Sequence, residues 1–234
     1  MHGRYPTLAL LLLVAPAPDI SAQTHLEPER GSINESDLVL TYVKSLTDVL
    51  LKDAAFHYRA RVICLPSFEP AWVVTLVSDA AERPTFFVDF AVLEGGPEVP
   101  IEKSGVRKAR ARLDREIAES VQEVWLRMLR GVRYSGRPTG GGADGVTYHF
   151  SRFVPFAALD PKKAPPGWEA GMIWTLAPRT ATAQLAGLGV VLKEYALAQP
   201  EKRLQLWEDI RARIRRLLDD LDQIEKGDVG VRNR

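Results

Sequence analysis

The chain has 234 residues, 46% of them hydrophobic and 26% charged, with a formal net charge of +1. That is the balance of a globular protein long enough for one large domain. Near-neutrality excludes a global field that would steer the molecule onto nucleic acid or an anionic membrane, and a single cysteine, Cys64, excludes an intrachain disulfide.

The first residues have the layout of a secretory signal peptide. Met1–Pro6 carries Arg4 and no acid, Thr7–Ala15 is a short apolar run, and Ser21-Ala22-Gln23 offers a small-residue exit. The apolar run falls well short of the ~20 residues needed to span a bilayer. Residues 1–22 are therefore expected to be removed after Ala22, leaving no transmembrane anchor and a periplasmic or secreted bacterial protein. Arg4 and Asp19 leave together, so the charge balance is kept.

Residues 23–35 are polar, with Pro28 and Gly31, and read as a flexible mature N-terminus. Leu38, Tyr42, Leu46 and Val49/Leu50 recur at helical spacing, and Ser36 can cap the start, which predicts a helix over 36–54. Strands are expected at Tyr58–Leu65, Trp72–Val77 and 85–93. In the last, Phe86, Val88, Phe90 and Val92 share one face, with Thr85, Phe87, Asp89 and Ala91 on the other. The short connection predicts an antiparallel hairpin.

Over 106–130 the apolar positions Ala109, Leu113, Ile117, Val121, Val124/Trp125 and Met128 step by three or four, which predicts one long helix ending at Gly131. A strand follows over 145–156, with Val146, Tyr148 and Phe150 facing inward and Thr147, His149 and Ser151 outward. A Pro-rich loop then leads to a short strand at Met172–Leu176. Thr180 or Thr182 can cap a helix through 183–198, and Pro200 suits the first turn of another reaching about 225. These two should form an antiparallel hairpin, and residues 227–234 read as a frayed tail. The expected architecture is a single α+β domain over 36–226. It has an antiparallel sheet of four to five strands, helices packed on one face and a C-terminal antiparallel helical hairpin.

Few residues carry recognisable chemistry. His2 and His25 lie in the leader and the N-terminal stretch, leaving His57 and His149 as possible acid–base groups. No HxH, HxxxH, CxxC or HExxH spacing exists to pre-form half of a zinc site, and no metal or cofactor is expected. Asp144, His149 and Ser151 supply the residue types of an acyl-transfer site, but side chains two apart on a strand stand about 7 Å apart. No GxSxG elbow raises a serine. Gly140-Gly141-Gly142 stands between a helix and a strand without the Gly-Lys-Ser/Thr of a phosphate loop.

Glu69, Asp89 and Glu94 could pair for glycoside chemistry only if folding brings two of them within about 5–10 Å. Trp72, Trp168 and Trp174 could form a stacking platform, with core packing as the simpler use. Cys64, in a run of strand-forming residues, reads as a small buried apolar side chain. Lys103, Arg107, Lys108, Arg110, Arg112 and Arg115 read as a solvated face at the start of the long helix, for which an anionic envelope partner would provide a use.

With each catalytic template incomplete, the expected function is a non-enzymatic binding or protein-interaction module of the bacterial envelope. Its partner contact is placed on the 160–180 loop at Trp168 and Trp174. The alternative is a secreted hydrolase using His149 with Asp89 or Asp144.

Overall fold

In the computed structural model of the chain, which describes residues 25–28, 37–52, 58–79, 82–94, 101–133, 145–154, 167–174, 176 and 178–232, strand β2 (Trp72–Ser78) buries every side chain from Trp72 to Val77. Successive side chains of a strand point to opposite faces, so a strand buried this way needs cover on both sides. The rest of the fold supplies it. The other strands are β1 (Ala60–Pro66), β3 (Phe86–Glu94), β4 (Gly105–Leu113), β5 (Val146–Val154) and β6 (Gly167–Ile173). They form one antiparallel sheet in the order β4-β3-β2-β1-β5-β6. Helices α1 (Asp37–Leu51), α2 (Arg115–Arg130), α3 (Ala181–Leu197) and α4 (Pro200–Arg232) complete the α+β fold.

The inner face of the sheet carries Val62, Cys64, Trp72, Val74, Leu76, Val88, Phe90, Tyr148 and Phe150, which pack against α2 and α3 in one core. Trp125 of α2 meets Phe150 edge-on at 5.8 Å between ring centroids and donates its indole N–H to the Arg61 carbonyl at 3.1 Å. Close approach of α3 to β1 depends on Gly189, where a Cβ would lie 3.0 Å from Val62 Cγ1. Helix α4 lies over α2 and α3 and buries Ile210, Ile214, Leu217 and Leu221. Its antiparallel course against α3 is marked by the Gln184–Asp220 hydrogen bond at one end and Arg203 beside the Tyr195 ring at the other. Arg127 of α2 reaches Asp222 at 2.7 Å and Glu225 at 3.0 Å on α4.

Several expectations need correction. The sheet has six strands where four to five were expected, because the chain over 105–113 is strand β4 and only 115–130 is helix. Asp114 separates them: its backbone is extended and its side chain accepts from the Glu116 N–H, capping α2. The helices are also not confined to one face. Leu46 and Leu50 of α1 pack on the outer face against Val73, Ala91 and Leu93, each such burial contributing about 1.5–3 kcal/mol. Strand β6 begins at Gly167, inside the segment expected as loop, and α4 continues through Arg232, past the expected onset of fraying.

Part of the N-terminal stretch expected to be flexible is docked. Glu27 exchanges backbone hydrogen bonds with Met172 on the open side of β6, at 2.9 and 2.7 Å, and Leu26 is 1% exposed in the inner core. Gly171 makes room for it: a Cβ there would lie 2.7 Å from Val132 Cγ2 and 3.1 Å from Leu26 Cβ.

Cys64 is buried opposite Tyr148. Burial pushes its thiol from the ordinary 9.0 up to about 12, and pushes the Tyr148 phenol up to about 12 from 10.0. A raised acid stays protonated in the fold while the unfolded chain ionises, so its contribution is complete below the unfolded pKa and is lost above it. For Cys64 that loss runs from pH 9 to 12 and reaches about 1 kcal/mol by pH 10. Thermal unfolding midpoints should therefore begin to fall near pH 9, whereas a Cys64→Ala variant should hold its midpoint to near pH 10, where tyrosine takes over. Identical pH profiles for the two proteins would contradict this assignment.

Candidate functional site

Antiparallel register lines up one residue from each strand across the outer face. Ala170 of β6 stands opposite Ser151 of β5, Ser151 opposite Arg61 of β1, Arg61 opposite Thr75 of β2, Thr75 opposite Asp89 of β3, and Asp89 opposite Arg110 of β4. From Ser151 to Arg110 the row is polar. Two residues along each strand, the neighbouring row of His149, Ile63, Val73 and Ala91 is largely apolar, and Val73 and Ala91 belong to the cluster under α1. The outer face is thus divided into a covered apolar half and a polar row beside it.

Arg61 is the centre of the row and only 8% exposed. Its guanidinium lies 3.5 Å from the centroid of the Tyr58 ring, and its Nε donates to Thr75 Oγ1 at 3.4 Å. Burial lowers its pKa to about 10, against the opposing pull of Tyr58; it stays cationic at neutral pH. The Tyr58 and Ser151 hydroxyls are 2.7 Å apart. Asp89 receives Nε and Nη2 of Arg110, both at 2.6 Å, a bidentate pair that also raises the Arg110 pKa. The row fixes register: a slip of one residue would drive Arg61 into the inner core and bring Val62 out.

The row does not assemble the acid–base pairs expected from sequence. His149 is on β5 and Asp89 on β3, three strand spacings apart, roughly 14 Å at 4.8 Å per spacing, and both Asp89 oxygens are engaged by Arg110. Ser151 shares the face of His149, but its hydroxyl is bonded to Tyr58. Asp144, His57 and the Gly140–Gly142 loop lie outside the described residues. Strand parity places Asp89 on the outer and Glu94 on the inner face of β3, while Glu69 sits exposed in the β1–β2 loop, so these three carboxylates are placed on different surfaces. Among the described residues no group of three potential metal ligands comes together.

The tryptophans also separate. Trp72 is an inner-core residue, edge-on to Tyr148 at 6.4 Å, with Lys193 Nζ 5.0 Å from its ring. Trp168 is a β6 position in register with Phe153, and Trp174 follows the end of that strand, half-buried. The pairing of β6 with β5 takes Trp168 out of the expected loop and into a strand, whereas Trp174, inside the strand expected over Met172–Leu176, lies just beyond β6.

The most distinctive surface is at the opposite edge of the sheet. Among the described residues β4 pairs with β3 on one side only, and it presents Arg107, Lys108, Arg110 and Arg112, all exposed. Cations on an edge strand oppose unwanted strand pairing, which is a structural reason for the run that a helical reading lacks. Arg110 is consumed by Asp89 and stacks 5.3 Å from the Phe87 ring. Arg107 and Arg112 have no carboxylate partner among the described residues. Beside them Arg83, in the turn before β3, and Arg115, the first residue of α2, extend the positive surface. Arg83 escaped the sequence reading because only the β3–β4 pairing brings its turn next to Arg112.

No family model, curated protein or solved structure matches the chain.

Proposed function

We propose that the chain is an exported, soluble protein of the bacterial envelope, periplasmic or secreted, acting as a non-enzymatic binding module for an anionic partner. The observation that carries the binding role is the cationic free edge of the sheet, where arginines without carboxylate partners among the described residues line a solvent-facing strand. Net charge of +1 gives no long-range field, but at physiological salt the field that matters acts within about 8 Å. A local cluster is enough. The export half of the reading rests on the Arg4, Thr7–Ala15 and Ala22 pattern. No helix among the described residues is long and apolar enough to cross a membrane.

Trp168 and Trp174, at the far edge, remain a second contact region in this proposal, with no geometry that singles them out. The hydrolase alternative has lost the support of Asp89 and depends on Asp144 reaching His149.

Two measurements test the reading. Protein recovered outside the cytoplasm should begin at Gln23 on N-terminal sequencing; an intact Met1 there removes the signal peptide and its cleavage after Ala22, and absence of the protein from that fraction removes export. On immobilised dextran sulfate, the purified chain should be retained and should elute at clearly lower salt after Arg107→Glu and Lys108→Glu. Equal elution removes the β4 edge from the proposal.

A further inference from the structure

We propose that the recess between the end of β4 and the start of α2 binds one phosphate-type dianionic group through Arg83, Arg112 and Arg115. This rests on the anion-binding reading above and names the group recognised and the place. The recess has a volume of about 480 Å³ and is lined by Arg83, Pro84, Thr85, Arg112, Asp114 and Arg115 over a floor of Phe86 and Leu113. The three arginines that line it come from three separate elements: the turn before β3, the penultimate residue of β4, and the first residue of α2.

The fold holds these elements in fixed relation. Phe86 pairs with Leu113 and Phe87 with Arg112, so the end of β4 cannot slide along β3. Phe86 and Leu113 are 5% and 2% exposed, which roots the floor in the core. Arg115 Nη2 donates to the Pro84 carbonyl at 3.3 Å, tying the helix start to the turn. Tyr195 of α3 donates to the Arg112 carbonyl at 2.8 Å from behind. The backbone at Arg112 is therefore held from two sides, and the turn that carries Arg83 is tied to the start of α2 through Pro84.

The charge balance selects the ligand. None of the three arginines has a carboxylate within ion-pair distance among the described residues. Asp114 lines the same recess, but one of its oxygens is taken by the Glu116 N–H at 2.8 Å as the cap of α2. Three guanidiniums and one carboxylate leave a formal charge of plus two. Edge protection explains Arg112 but not Arg83 or Arg115, which lie off the edge strand. Like charges gathered in a recess repel one another unless an anion sits between them. Guanidiniums match a tetrahedral oxyanion through paired N–H donors. A volume in the range of small-ligand sites also leaves room for the rest of a molecule carrying that group.

The test uses the full mature chain with two probes: inorganic phosphate, followed by NMR titration, and vesicles of phosphatidylcholine with or without phosphatidic acid, followed by co-sedimentation. Saturable binding is expected, weakened about tenfold or more by Arg112→Gln, as loss of a charged hydrogen-bond donor requires. Arg107→Gln, on the same edge but outside the recess, should change it less than about twofold. Saturation by free phosphate identifies a soluble phosphorylated ligand; binding only to phosphatidic acid vesicles, lost in Arg112→Gln, identifies a lipid headgroup. Should Arg112→Gln perturb the fold by circular dichroism, Arg83→Gln replaces it, since Arg83 belongs to no strand or helix. Absence of saturable binding to both probes overturns the proposal, as does binding that survives the combined Arg83→Gln, Arg112→Gln and Arg115→Gln variant. Equal losses in Arg107→Gln and Arg112→Gln overturn the recess while leaving the wider basic edge as the binding surface.

Discussion

Trp125→Ala is expected to cost about 4 kcal/mol of folding stability. The side chain is 1% exposed, between α2 and the middle of the sheet. Its loss opens a cavity under Phe150 and removes the edge-on ring contact at 5.8 Å. It also withdraws the N–H that reaches the Arg61 carbonyl. Trp125→Phe separates the contributions. It keeps most of the volume and the ring contact but loses the donor, so it should cost only about 1–2 kcal/mol. Denaturant unfolding gives both values, and at this chain length 4 kcal/mol corresponds to a drop in melting temperature of roughly 8–16 °C. An alanine variant within about 1 kcal/mol of the parent would mean that α2 does not pack on β5 as described.

Gly171→Val should be nearly as damaging, at about 3 kcal/mol, through overpacking rather than a cavity. The space a Cβ would enter is held by Val132 just past the end of α2 and by Leu26 in the docked N-terminal segment. Neither can swing away freely: Leu26 is buried, and its carbonyl accepts from the Arg133 N–H at 3.1 Å. The least costly relief is release of residues 25–28 from β6. Hydrogen exchange therefore gives a specific readout. The amides of Glu27 and Arg133 should lose protection in Gly171→Val while those of the central strands keep theirs. Uniform loss across the sheet would point to general destabilisation instead.

Which parts of this fold were legible in the sequence follows from how local each signal is. The period-two pattern of 86–93 and the helical registers of 115–130 and 200–225 depend on neighbours within a turn or two, and each was read correctly. The segment 105–113 was misread because Ala109, Leu113 and Ile117 are spaced by four, so a helical stripe runs unbroken through a strand. The competing evidence was present as the alternation Ala109, Ala111, Leu113 between arginines, and as Asp114, a capping residue just before Glu116. The two-sided burial of the sheet was also written in the apolar run of β2, interrupted only by Thr75, since a strand open to water on one face alternates. The polar row was not legible. Ser151, Arg61, Thr75, Asp89 and Arg110 come from five strands, and only register brings them together. The arginine recess was hidden for the same reason.

The seam between β1 and β5 has a consequence for the order in which the chain folds. Strands β1 to β4 follow one another as a meander, and β5 with β6 forms a second unit, so most of the sheet closes over short connections. Among the pairings of the six strands only the seam joins distant chain: Tyr58 and Ser151, bonded across it, are 93 residues apart. Closing such a loop costs about 2 kcal/mol more chain entropy than closing a hairpin of eight residues. On this entropy difference the two units are expected to form first and the seam to zip last, with α2 the element whose packing offsets the cost of the late step. It lies against β1, β5 and β6, with Trp125 bonded to one side of the seam and edge-on to Phe150 on the other. A chain caught before that step would hold two half-sheets with their central edges bare, the state in which this protein is most open to pairing with a wrong partner.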